Sequence, residues 1–147
     1  MTSSAKQLVA GCLIGLGLAL MLVGAVSGTV LRHMTQILPI CVALGVVSRR
    51  PEWGAYAALP LFLFWTLIVV LIWLFLLGFS RIADGQYTVV EVVSTFLMVI
   101  FAGVGAVRSL QLGRALPTVP RVLMFLLFAA MQLGAMRLSF LSSIANR

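Results

Sequence analysis

Six side chains able to do chemistry fall inside stretches that are otherwise hydrocarbon: Arg32, His33, Gln36, Glu91, Gln132 and Arg137. A charge at the centre of a membrane helix costs about 2.5–3.5 kcal/mol, and much less near an end, so each of these groups needs a partner, water or a use. Three uses compete. Glu91 can accept from Arg137 or Arg32 in an interhelical ion pair that fixes packing. The same groups with His33 can form a proton or ligand site in one leaflet. Alternatively, the long side chains can simply snorkel to water. Gln132 falls in mid-span and must find a hydrogen-bonding partner, for which Thr66, Ser94 and Thr95 are the candidates.

The chemistry that is excluded also informs. His33 is the only histidine, so one chain cannot supply a two-histidine haem or zinc site. A homodimer would bring a second copy, and a quinone site can be built on one histidine with Gln36. Glu52, Asp84 and Glu91 are the only acids, which leaves little for two-carboxylate chemistry. No phosphate-binding glycine loop, zinc-protease helix, catalytic nucleophile with its histidine, or arginine-rich voltage helix is present. We therefore expect no enzymatic activity, no cofactor and no metal site.

The elements that must position these groups are membrane spans. Apolar residues make up 63% of the 147 and the mean hydropathy is +1.20, far outside the roughly 45–50% apolar content of soluble domains. Residues 61–79 contain no charge at all, and nineteen residues of helix cover about 28 Å, close to a hydrocarbon core of about 30 Å. Residues 8–26 form a first span of the same kind. Ser27-Gly28 is a turn dipeptide, and a turn there makes residues 29–48 a second span, kinked at Pro39, which carries Arg32, His33 and Gln36 near its start. The rival topology runs the first helix on to residue 31 and leaves residues 34–47 as a re-entrant segment, giving four spans.

Further on, residues 49–54 read as a loop and 55–59 as an interfacial turn, with Pro60 opening the third span at 60–79. Trp53 and Tyr56 read as headgroup anchors, while Trp65 and Trp73 share a face with Phe62 and Leu76. A turn containing Arg81, Asp84 and Gly85 leads to a fourth span at 87–107, ended by Arg108. Residues 108–121 are the longest connection, and Pro120 opens a fifth span at 120–140 before a polar tail ending in Arg147. The fold class is thus all-α: a single integral membrane domain of five transmembrane helices, the second short and proline-kinked, with four helices as the fallback.

Small residues mark the docking faces. Gly11 and Gly15 form a GxxxG pair, Gly17 and Gly24 recur with Ala10 every seven residues, and Ala130 and Gly134 form a further small-xxx-small pair. In lipid such positions let backbones approach, and van der Waals contact holds helices together. The third span has no glycine over residues 61–77, and its bulky side chains are candidates for the grooves of the first.

The net charge of +7 sits at span ends rather than among exposed aromatics, which argues against a nucleic-acid partner and for contact with lipid phosphates. Counting Lys and Arg puts Lys6, Arg49, Arg50, Arg108, Arg114 and Arg121 on one side, and Arg32, Arg81, Arg137 and Arg147 on the other. The positive-inside rule then places the N-terminus in the cytoplasm and the C-terminus outside. Cys12 and Cys41 lie in apolar stretches as small hydrophobes. Residues 8–12 lack the apolar run that a lipoprotein signal needs ahead of its cysteine. Residues 8–26 exceed the usual signal-peptide core, so the first helix is expected to be retained. The expected partners are the lipid bilayer and a homo-oligomer or larger membrane complex. A bacterial inner membrane is the expected location, and the expected role is an accessory, assembly or stabilising subunit that docks through its glycine faces. The competing class is a small transporter or channel subunit with a polar outer-leaflet site formed by Glu91, Arg137 and His33.

Overall fold

The computed structural model describes residues 2–81 and 86–145, whose regular elements are all helices, with no strand among them. Asp84 and Gly85 of the expected turn and Arg147 of the expected tail lie outside the described residues. Five long helices follow in order: α1 (Thr2–Val26), α2 (Val30–Arg49), α3 (Pro51–Leu76), α4 (Val89–Leu112) and α5 (Thr118–Ser139), with a short α6 (Ser142–Ala145) at the end. All five are long and apolar enough to cross a membrane.

The chain turns back at Ser27 and Gly28. Gly28 adopts φ +68°, a backbone state that glycine reaches without steric cost. The Thr29 N–H closes the turn on the Gly24 carbonyl at 2.8 Å, the Schellman ending of a helix. α3 ends in the same way, with Gly78 at φ +79° and the Phe79 N–H donating to the Leu74 carbonyl at 2.8 Å.

The α2–α3 junction differs from the sequence expectation. There is no interfacial turn over residues 55–59. Pro51, not Pro60, opens α3, and a single residue, Arg50, separates the two helices. Pro51 suits this place because its missing N–H is not needed in a first turn. A hairpin this tight requires a bare backbone at Gly54, where a Cβ would collide with the main chain of Val47. Pro60 and Pro39 both lie inside helices and are buried, a position that a membrane helix tolerates when its neighbours cover it.

The connection expected over 108–121 is also shorter. α4 continues through Arg108 to Leu112, a 3-10 turn covers Gly113–Ala115, and α5 begins at Thr118. Arg121 folds back to donate to the carbonyls of Leu116 and Arg114, satisfying oxygens that this turn leaves free.

α1, α2, α3 and α4 form a four-sided bundle in which each side is a packed pair: α1 with α2, α2 with α3, α3 with α4, and α4 with α1. α5 lies outside this square, in the groove between α2 and α3. The core is built from Leu13, Leu16, Leu61, Phe62 and Val69 among others, all almost fully buried.

The glycine grooves are filled, though not by the helix expected. α1 packs mainly against α2 and α4, so Gly15 receives the Phe101 ring of α4, 2.6 Å from where a Cβ would stand. The bulk of α3 goes instead to α4, where the Phe62 ring lies on Gly105. A Cβ at Gly17 would meet Ile37 and Ile40 of α2 at 3.9–4.0 Å, and Gly24 backs His33. Gly11 and Gly134 have no neighbour within 4 Å of a Cβ position, and Ala130 is likewise on the outer surface.

Candidate functional site: a polar cavity at one end of the bundle

The α1–α2 turn, the start of α4 and the ends of α3 and α5 surround a cavity of about 490 Å³, a size within the roughly 300–1,000 Å³ of small-molecule sites. Helical spacing explains how each element contributes. α2 presents Arg32, His33 and Gln36 on one face, and α4 presents Glu91, Thr95 and Met98 at intervals of four and three. α3 contributes Trp65, Ile68 and Ile72, and α5 closes the wall with Met136 and Phe140. Arg32, His33 and Glu91 sit within the first turn of their helices, while Trp65 lies seven residues below Ile72, roughly 10 Å deeper. The wall is therefore polar at the mouth and mostly hydrocarbon at the floor.

His33 is fixed by its own turn. Its Nδ1 lies 3.0 Å from the Thr29 carbonyl and 3.1 Å from Thr29 Oγ1. A carbonyl only accepts, so Nδ1 carries the proton, and Nε2 is left as the acceptor of the neutral ring. Gly24 of α1 makes room for this arrangement, since a Cβ there would stand 2.9 Å from the His33 Cβ.

Glu91 is buried and held by its helix cap. Its Oε2 accepts from the Thr88 N–H at 2.7 Å and the Thr88 hydroxyl at 2.8 Å, while the Glu91 N–H donates to Thr88 Oγ1 at 3.3 Å. This is a capping box, and a carboxylate at a helix N-terminus is further favoured by the helix dipole. The arginine partner expected for Glu91 is therefore not what positions it. Arg137 is exposed on α5 and is not part of the cavity wall. Arg32 is on the wall, but its guanidinium lies over the Phe140 ring, 4.0 Å from the centroid, a cation–π contact.

Gln36 and Gln132 tie α5 to α2. Gln36 Nε2 donates to Ser139 Oγ at 2.9 Å and to the Met136 sulfur at 3.3 Å. Gln36 is 2% exposed and lines the cavity, which leaves its side-chain oxygen as the remaining acceptor there. Gln132, fully buried, reaches the Gln36 backbone carbonyl through a long 3.5 Å contact. The partners expected for Gln132 are occupied elsewhere. Thr66 and Ser94 donate to carbonyls of their own helices, and Thr95 both donates to the Val92 carbonyl and accepts from Trp73 Nε1 at 2.9 Å.

Two donors on the wall are unsatisfied among the described residues: Arg32 Nε and Trp65 Nε1, both buried. A buried polar group left without its hydrogen bond costs about 1–3 kcal/mol, so a pair of them on one cavity marks the place where a ligand has most to offer. Trp65 was not a site candidate in the sequence. Its spacing from Ile68 and Ile72 is the signal of a shared helix face, and the cavity is what that face meets.

Neither a family model, a curated protein nor a solved structure matches the chain. Five apolar helices of spanning length are compatible with a small multi-pass integral membrane protein.

Proposed function

We propose that the protein acts through this cavity, as a small transporter or carrier subunit that holds a small molecule in one leaflet of a bacterial inner membrane. The observation that carries the reading is that Arg32, His33, Gln36 and Glu91, costly in lipid one by one, border a single ligand-sized cavity. The role is non-enzymatic, with the N-terminus cytoplasmic and the cavity opening toward the outer leaflet. The direct test is a screen of labelled solutes for flux across liposomes containing the protein. Glu91→Gln and His33→Ala should abolish flux while leaving oligomer size unchanged.

A second reading, the accessory subunit that docks on itself or on a larger complex, is favoured by the outward-facing Gly11, Ala130 and Gly134. Leucine at Ala130 and Gly134 should then dissociate a co-purifying complex while the cavity positions tolerate substitution. Gly15, Gly17 and Gly24 do not belong in that test, because the bundle itself uses them.

A further inference from the structure

The chemistry of the cavity wall narrows the ligand, an inference that rests on reading the cavity as a ligand site. We propose that the ligand is an amphiphile whose head presents oxygen acceptors, as a carboxylate or carbonyl does, and whose body is hydrocarbon. Arg32 Nε is buried without an acceptor among the described residues, and its side chain lines the polar mouth of the cavity. A guanidinium N–H donates and never accepts, so only an acceptor satisfies it. Trp65 Nε1 is likewise unpaired among the described residues, but it lies on the deeper, hydrocarbon part of the wall, beside the body of the ligand rather than its head. The two charged groups are not equally free. Arg32 keeps an unmet donor, whereas Glu91, the only acid among the described wall residues, already accepts two hydrogen bonds from Thr88 on Oε2. His33 Nε2 and the Gln36 oxygen can take a proton donor, such as the hydroxyl of a protonated acid or of a reduced quinone head. Below the mouth the wall is mostly apolar, with Leu20, Trp65, Ile68, Leu71 and Met98, which suits hydrocarbon and rejects a water-soluble body.

A long-chain fatty acid and an isoprenoid quinone share this chemistry, and a fluorescence experiment separates them. Trp53 and Trp73 are the other two tryptophans, so Trp53→Phe with Trp73→Phe leaves Trp65 as the reporter in the purified, full-length protein. The probes are dibromostearate, a decyl-substituted benzoquinone and a brominated alkyltrimethylammonium. Saturable quenching is expected with the carboxylate or the quinone and not with the ammonium. Arg32→Leu should raise the half-saturating concentration about tenfold or more, as loss of a charge-assisted hydrogen bond does. Arg32→Gln, which keeps amide donors but no charge, should do the same for the carboxylate and little for the quinone. If Arg32→Leu does not yield folded protein, Arg32→Gln and the three probes on the parent still decide. Saturable quenching by the ammonium, or binding indifferent to Arg32, overturns the acceptor-head proposal while leaving a ligand site. Failure of every probe to quench saturably overturns the ligand site as well.

Discussion

At the scale of single residues, Glu91 shows how a side chain's partner can be mistaken when its charge is read before its neighbours. Thr88 and Glu91 are the first and last residues of a T-x-x-E capping box, a pattern visible in the sequence. A carboxylate in lipid calls for a cation on charge alone, yet its hydrogen bonds here come from its own N-cap. The partner of Gln132 was not legible at all, because it is a backbone carbonyl that no residue type announces. Thr88→Ala removes the hydroxyl half of the cap, leaving the backbone N–H bond to Glu91, and should cost about 1 kcal/mol, read as a lowered midpoint of thermal unfolding in detergent. Glu91→Gln keeps an oxygen that can accept from Thr88 and should lower the midpoint less. Ser139→Ala takes away the acceptor for Gln36 Nε2. It should destabilise the protein by about 0.6 kcal/mol, typical of a hydrogen bond between membrane helices.

At the scale of elements, the existence of five apolar helices and the turn at Ser27-Gly28 could be read from the chain, because both rest on local rules: hydrocarbon length, and glycine where φ is positive. The α2–α3 junction could not. Arg49-Arg50-Pro51-Glu52 has the composition of a loop, yet one residue suffices once Gly54 lets the two backbones touch. This makes a sharp comparison available. Gly54→Ala should sharply reduce folded yield, since Val47 meets the new carbon with main-chain atoms that cannot step aside. Gly45→Ala, with nothing within 4 Å, should leave yield unchanged or raise it through better helix propensity. Which helix fills a glycine groove was equally hidden, because the pairing of α1 with α4 is a long-range choice that the spacing of Gly11, Gly15 and Gly17 does not contain.

At the scale of the whole molecule, the two ends of the bundle differ in kind. One end gathers Lys6, Arg49, Arg50, Arg108, Arg114 and Arg121 around tight junctions. It is tied together by Lys6, which donates to the Ser48 carbonyl at 2.8 Å, and by Arg121, whose guanidinium lies 5.7 Å from the Tyr56 ring centroid. The other end opens into the cavity, and its polar wall exists only because α2 starts on the same side as α4. The chain's reversal after α1 therefore underlies the cavity and the ligand proposed for it. It is tested by replacing Cys12 and Cys41 with alanine and placing single cysteines at positions 29, 86 and 114 for labelling with a membrane-impermeant maleimide. Positions 29 and 86 are expected to label from one side of the membrane and position 114 from the other. Labelling of position 29 together with 114 would mean that α2 does not begin at the cavity end, and the site would not exist.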